Sequence, residues 1–407
     1  MIMMLLKDLG SLENFIALER YVNKPKYSPT ALISEVGKEY HPRNGNSTFL
    51  LPYHELKQSE VEIITACPGE TARLAVQGES PETIKFFVHP IMQNEIFTNQ
   101  KPNRVVEVAP SSSTRTVIFT KEHQGLMVKL HLNKRISRFI RRLKASSIEH
   151  SIMISRELET IIKNPRTPTH FAFLPESIGI IRKAATPDET IGYLIRESTP
   201  RPYIKETRFI IPFFALTSPD TRSLNDAPLL IQMGKYLHRD PFNILIEEIL
   251  DPFLSVWAYI FLRYGILLEA HGQNTLLEIN DNYEPKRIVH RDFQSTPIDP
   301  GIRKKRKIST QFTKHVIGQG DYPARLEQSL MYDHFVGDYL FSSLEEFSYV
   351  YLNRSHELFR NKIRALFNKY IPEQNQYFPQ GHTSFKGGIM PDNTYCLDYK
   401  DEPPLYR

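Results

Sequence analysis

The sequence predicts an α+β chain in two parts: an antiparallel, strand-rich first half and a mainly helical second half. Three observations carry this. Between Val36 and Val88, and again from Pro110 to Leu132, short β-branched runs alternate with Pro, Gly and Asn, the punctuation of strands and hairpins. From Leu224 onward the apolar period lengthens to that of helices. Between these regions, Glu197 to Lys205 carries Pro200 and Pro202 and reads as a boundary. The expected division is residues 1–195 and 196–407, since 407 residues exceed one ordinary core.

Composition narrows the function. Apolar content of 41% and charged content of 24% are those of a soluble globular protein. A net charge of +5 suits small anions such as nucleotides or polycarboxylates and is too diffuse for nucleic acid. Cys67 and Cys396 stand alone, which excludes a disulfide framework and a zinc-type spacing and points to a reducing compartment. Met1 to Leu6 lacks the features of a signal peptide, and Pro252 to Leu262 is too short to span a bilayer. A cytoplasmic protein without a membrane or nucleic-acid partner is expected.

In chain order, Ser11 to Val22 predicts a helix capped by Ser11, and Asn23 to Pro29 a linker. Val61 to Thr65 and Ile84 to Val88 predict strands, with His41-Pro42 and His89-Pro90 closing such runs. A hairpin at Gly125 joins strands Pro110–Phe119 and Leu126–Leu132. Alternation then places Ser113 with Arg115 on one face, and Lys129 with His131 on one face. A hydroxyl, a guanidinium and an ammonium on paired strands make a phosphate or carboxylate cradle, although a sheet with one wet face explains the same pattern. Arg135 to Lys144 predicts an amphipathic helix, with Ile136, Phe139, Ile140 and Leu143 as its stripe and Ser137 and Arg141 off it. Strands resume at His170 to Leu174 and Ile178 to Ile181. Helices follow over Leu224–Leu237, Phe242–Leu250, Pro252–Leu268, Leu326–Tyr351 and Ser355–Tyr370, with Arg303 to Lys307 as an exposed basic loop and Lys386 in a small-residue tail.

The chemistry concentrates in Glu269-Ala270-His271-Gly272-Gln273-Asn274 and in Arg287-Ile288-Val289-His290-Arg291-Asp292. If the preceding helix continued, Glu269 would lie beside Gln273 and His271 beside Asn274. Oxygen donors of this kind suit Mg²⁺, and Asp292 is a further ligand candidate. A capped helix end with a solvated turn accounts for the same residues. Val289 to Asp292 also matches a kinase catalytic loop, but Pro297 stands where that loop needs Asn, and no Gly-rich loop or Asp-Phe-Gly accompanies it.

Taken in order, Ser113-x-Arg115-Thr116, Lys129, Ser137 with Arg141, Glu269-x-His271-x-Gln273-Asn274, Arg291-Asp292 and Lys386 resemble the motifs of the IucA/IucC family. These are siderophore synthetases that work independently of peptide-synthetase modules. His89-Pro90 with Gln93 is similar to that family's His-Pro-x-Gln element, with one extra residue. The resemblance implies a cupped hand: an antiparallel-sheet fingers domain over residues 1–195, with a thumb remnant, and a helical palm over 196–407. It further implies nucleotide binding by Ser113, Arg115, Thr116, Lys129, His271, Gln273 and Asn274. Acid substrate would meet His89, Ser137, Arg141, His271 and Lys386, and Mg²⁺ would meet Glu269, Asn274 and Asp292. Arg115, Arg141, His271 and Lys386 would act in catalysis. The implied reaction adenylates a citrate-like polycarboxylic acid with ATP, then condenses it with an amine or hydroxylamine.

Two departures accompany the resemblance. Family members are commonly longer at the N-terminus, where the thumb lies, and His41-Pro42 is followed by Arg43-Asn44-Gly45-Asn46 without the family's lysine. A finger sheet short of its thumb would leave apolar surface for a second copy, so a homodimer is expected. The alternative is a non-catalytic, nucleotide-binding remnant.

Overall fold

The computed structural model describes residues 10–23, 35–136, 139–186, 189–206, 208–223, 225–309, 311–386 and 396–407. Helix α1 (Leu12–Tyr21) opens the chain, and Ser11 caps it as expected by accepting from the Asn14 N–H at 3.2 Å. Strands β1 (Phe49–Lys57), β2 (Val61–Thr65), β3 (Thr83–Phe87), β4 (Arg104–Pro110), β5 (Thr116–Phe119) and β6 (Leu126–Leu130) follow. After a two-residue-strand hairpin, β7 (Arg135–Ile136) and β8 (Phe139–Ile140), comes helix α2 (Ala145–Ile161). Strands β9 (Phe171–Phe173), β10 (Glu176–Arg182), β11 (Ile191–Glu197) and β12 (Arg208–Pro212) lead to helix α3 (Asp251–Tyr264). Then come β13 (Thr275–Asn280), β14 (Pro285–His290), helices α4 (Pro300–Lys305), α5 (Ser342–Leu352) and α6 (His356–Tyr370), and the ribbon β15 (His382–Lys386) with β16 (Cys396–Lys400).

The fold is α+β. Eight strands form one antiparallel sheet in the order β2-β10-β11-β6-β5-β4-β1-β3. One face encloses its own core, with Leu51, Val108, Val117, Phe119, Val128, Ile180 and Ile195 buried together. The other face is covered by α2, which packs so closely that a Cβ at Gly179 would collide with Ile148. The smaller sheet, β12-β13-β14-β9, takes β9 in parallel from before residue 195. The helical core around Phe253, Trp257 and Phe341 likewise includes Leu18, Leu158 and Phe171 from the first half. Among the described residues, no helix is long and apolar enough to cross a membrane.

Four local expectations are overturned. Arg135 to Lys144 is a hairpin rather than a helix. Its apolar residues satisfy either period, and pairing decides: the Leu132 N–H reaches the Arg141 carbonyl, while Glu35 takes up both backbone groups of Arg135. Ser113 and Arg115 sit in the turn between β4 and β5, closed by the Thr116 N–H on the Ser113 carbonyl. Helix α3 ends at Gly265, left-handed at φ 64°, so Glu269 to Asn274 is a turn before β13 and not a helix face. The basic run Arg303 to Lys307 is exposed from Lys304 onward, as expected, but it starts as the end of helix α4 rather than as a loop. Asp299 caps α4, and Arg303 is fully buried, bidentate on Glu157 of α2 at 2.6 and 2.8 Å.

That last pair ties the two halves together. Glu157→Gln keeps the shape and removes the charge, leaving Arg303 on the Tyr264 and Ser309 carbonyls. The expected loss is about 1–2 kcal/mol of stability, read from the urea midpoint. An unchanged midpoint would mean that the carbonyls suffice.

Candidate active site

Strand register sets the site. On β6, Val128 and Leu130 enter the sheet's own core, so alternation turns Lys129 to the opposite face. Lys129 pairs in register with Thr116 and Leu194, and Met127 with Arg196, so Lys129 and Arg196 share that face beside each other. Both are buried. A lysine and an arginine on one buried face are costly without counter-charge, and Glu176 of the first half and Asp292 of the second supply it. The Lys129 ammonium donates to Asp292 Oδ1, and Arg196 Nη2 lies 3.6 Å from Asp292 Oδ2 and 2.6 Å from Glu176 Oε1. Asp292 follows β14 in a left-handed conformation, φ 70°, which costs of order 1 kcal/mol or more outside glycine. The Phe293 N–H on Glu176 at 3.2 Å holds the next residue.

Around this centre, Arg115 donates to the Arg141 carbonyl at 3.0 Å and to Gln294 at 2.7 Å. The Arg141 guanidinium lies 5.3 Å over the Phe139 ring and near the carboxylates of Glu269 and Asp292. Glu269 accepts from Ser295 at 2.6 Å and lies 3.3 Å from His271 Nε2, while His271 Nδ1 accepts from the Gln273 N–H at 3.2 Å. The Gln273 amide donates to Ser112 Oγ at 3.1 Å. Arg291 donates to the Gln273 carbonyl at 2.9 Å, and its N–H reaches the Asn274 carbonyl. Arg115, Thr116, Lys129, Arg141, Glu269, His271, Gln273 and Asp292 thus meet between the two halves, with Ser113 in the adjoining β4–β5 turn and the Asn274 backbone joined to Arg291.

Of the remaining expected site residues, His89 is placed away from this region. His89 is buried between Tyr40 and Phe49, its pKa pushed down to about 3 by burial, and it touches none of these groups. Ser137 lies outside the described residues. The backbone of Lys386 pairs with Cys396 at the end of β15, next to Phe385, which approaches Phe139 at 6.5 Å. His131, expected beside Lys129, lies past the end of β6 and accepts from the Leu143 N–H at 3.1 Å.

The electrostatics favour an incoming anion. Burial pushes Lys129 down to about 8, with Asp292 opposing that and Arg115 adding to it. Burial pushes Arg115 down to about 9, helped by Arg141. Arg141 is lowered by burial too, against the pull of Glu269 and Asp292. Asp292 shows the converse: burial would raise it, but Lys129 and Arg196 hold it well below the carboxylate range. Arg115, Lys129, Arg141 and Arg196 face Glu176, Glu269 and Asp292, one cation in excess. A polyanion would relieve these strained cations.

For Mg²⁺ the donor set fits one role. Among the described residues no three His, Cys, Asp or Glu side chains could hold a metal by themselves. Glu269 and Asp292, with the Asn274 amide between β13 and the His271 turn, suit an ion that shares substrate phosphates and water instead of a protein cage. Asp292 already neutralises Lys129, so any metal there would share it.

A largely buried, net cationic cluster between a curled antiparallel sheet and a helical half defines the candidate site of this α+β protein. Comparison with known proteins narrows that class. The IucA / IucC family model matches residues 86–218, and the model of the ferric iron reductase FhuF-like transporter matches 247–377. An L-2,3-diaminopropanoate–citrate ligase of Staphylococcus aureus is 27% identical over 217 residues, 50% of this chain and 34% of that protein. The chain therefore spans about a third of that relative's length. Aerobactin synthetase IucC of Klebsiella pneumoniae superposes with a TM-score of 0.68 at 19% identity, over 91% of this chain and 72% of that one. ATP-bound aerobactin synthetase IucA of the same species gives 0.68 at 14% identity, over 93% and 76%. Residues 86–218 thus match the IucA/IucC family, and the chain as a whole has the fold of the aerobactin synthetases IucA and IucC.

The sequence reading missed Glu19, Glu176, Arg196 and Gln294 as partners of the site. Arg196 carried a signal: it follows the apolar run Ile191 to Ile195 at a position sharing a strand face with Leu194.

Proposed function

We propose that this chain is an ATP-dependent carboxylate–amine ligase. It would activate a carboxylate of citrate or a related polycarboxylic acid as the acyl adenylate, then join it to an amine or hydroxylamine. The observation that carries this is the cluster of Lys129, Arg115 and Arg141, whose charges burial disfavours, with buried Arg196 beside them and Asp292 and Glu269 facing them. Support comes from a family whose members include a protein named as a citrate ligase and one whose structure holds ATP.

In this reading Lys129, Arg115 and the Gln273–Asn274 turn bind the triphosphate. Arg141, and Lys386 beyond Phe385, hold the acid so that its carboxylate oxygen meets the α-phosphorus despite like charge. Pyrophosphate leaves, and the fixed cations stabilise charge developing on the phosphoryl oxygens. Each such donor is worth about 3 kcal/mol of barrier in a water-poor site. His271, oriented by its Gln273 and Glu269 contacts, touches phosphate and acid rather than removing a proton. Mg²⁺ bound by Glu269, Asn274 and Asp292 would screen the phosphates. A homodimer and a cytoplasmic setting belong to the same proposal.

The test is acid-dependent exchange of labelled pyrophosphate into ATP with citrate, 2-oxoglutarate and a monoacylated citrate. Exchange with one acid, stopped by excess chelator, is expected. Nucleotide binding without exchange for any acid would favour the non-catalytic remnant.

A further inference from the structure

Four consecutive residues outside any helix or strand, 292–295, meet the candidate site. Asp292 accepts from Lys129, the Phe293 N–H donates to Glu176, the Gln294 side chain accepts from Arg115, and Ser295 donates to Glu269. The Thr296 N–H closes this segment into a turn on the Phe293 carbonyl at 3.2 Å. Two of the oxygen donors proposed for Mg²⁺ hang on the turn, Asp292 as a member and Glu269 through Ser295. Lying in no sheet, its backbone carbonyls must find partners elsewhere.

Those partners are two histidines that the ligase reading does not use. His150 of α2 is buried, and its Nε2 lies 2.8 Å from the Thr296 carbonyl. A carbonyl only accepts, so Nε2 carries the proton. His315 hydrogen-bonds the Gln294 carbonyl, and the two imidazoles lie with centroids 5.0 Å apart. Lys314 donates to the Ser147 hydroxyl at 2.7 Å, which fastens the His315 segment to the start of α2. Phe312 packs edge-on against His150 at 5.4 Å and lies under the Arg303 guanidinium. The backbone is strained on both sides of the contact. Asp292 at φ 70° and His315 at φ 53° are left-handed without being glycine, a cost that clusters at functional sites. Burial pushes His150 down to about 4 and His315 to about 3, so both rings are neutral donors at neutral pH.

We propose that His150 and His315 are positioning residues that set the 292–295 turn for the metal–nucleotide complex. The proposal rests on the ligase reading. Each imidazole N–H fixes one carbonyl, and between them the Gln294 and Ser295 side chains are brought onto Arg115 and Glu269. Loosening the turn would slacken Asp292 and Glu269 together, because partners one step behind a ligand orient it. The metal's share of nucleotide affinity would fall, while the part owed to the cations would stay.

The experiment is calorimetry of ATP binding in Mg²⁺ and in excess chelator, which gives a ratio of affinities for the native chain, His150→Phe and His150→Gln. Phenylalanine keeps a ring and removes the donor, whereas glutamine places an amide N–H near the position of Nε2. His150→Phe should cut the ratio about fivefold, the size of one buried hydrogen bond, and His150→Gln should return it to within about twofold of native. A loss of stability alone lowers both affinities and leaves the ratio unmoved. An unchanged ratio in folded His150→Phe, or an equal fall in His150→Gln, overturns the proposal. If His150→Phe does not fold, His315→Gly decides on the same ratio, since glycine accepts the left-handed backbone and removes the imidazole. A fall there upholds the proposal, and no change overturns it. A native chain that binds no ATP, or binds it equally with and without Mg²⁺, overturns it too. Native Mg²⁺-dependent binding without pyrophosphate exchange for any acid fails the ligase reading alone.

Discussion

Alanine at Lys129 is expected to lower acid-dependent pyrophosphate exchange at least a hundredfold while the protein stays folded. The size follows from losing one fixed, desolvated donor, about 3 kcal/mol of barrier. Folding survives because Asp292 keeps Arg196 near its Oδ2, so the half-buried carboxylate is not stranded. ATP affinity should fall as well, because the Lys129 ammonium is buried where the triphosphate would lie. The same group predicts a pH profile. Lys129 in the free protein titrates near 8, so nucleotide affinity should weaken as pH rises through about 8, when the ammonium loses its proton. Lys129→Arg should move that fall upward. Calorimetric ATP titrations from pH 6.5 to 9.5 on the three proteins are the check. Unchanged ATP affinity in a folded Lys129→Ala chain would remove Lys129 from the cradle.

Much of this was legible in the sequence where chemistry is local. Ser11 caps the helix expected of it, the helix expected from Ser355 starts there, and Gly125, at φ 85°, turns the hairpin that sets the register of Lys129. What was illegible depends on distant partners. The apolar residues of Arg135 to Lys144 suit a helix as well as a hairpin, and a contact to Glu35, a hundred residues earlier, selects the hairpin. Arg303 looks like one basic residue among five until Glu157 buries it. The turn at Gly265 hides a different lesson. The motif Glu269 to Asn274 was recognisable from its residue types, but its geometry was not, because the apolar run continues past the point where α3 stops.

Glu19 is the residue whose role was least visible, and Glu19→Gln carries the largest expected effect on stability. It sits on α1, a helix with a charged face, where a glutamate normally meets water. Instead it is fully buried. Its Oε1 accepts from Arg291 at 2.6 Å, and its Oε2 accepts from the Ser112 N–H at 3.1 Å and the Ser112 hydroxyl at 2.5 Å. Ser112 in turn accepts from Gln273, so one carboxylate fastens α1, the β4–β5 turn and the Arg291–Asp292 segment together. Glutamine preserves the shape but strands the buried Arg291 charge, a change that typically costs about 3–5 kcal/mol. Burial alone would raise the Glu19 pKa. Arg291 and Ser112 outweigh it and hold the pKa below the ordinary 4.5. The folded carboxylate therefore binds its proton less tightly than the unfolded one. Its contribution is complete above about pH 4.5 and is lost as pH falls through the lower folded pKa. Urea denaturation at pH 7 should show a clearly lower midpoint for Glu19→Gln, and the gap to the native chain should narrow on acidification below pH 4.5. Coincident curves at pH 7 would mean that Arg291 is held by its Gln273 contact alone.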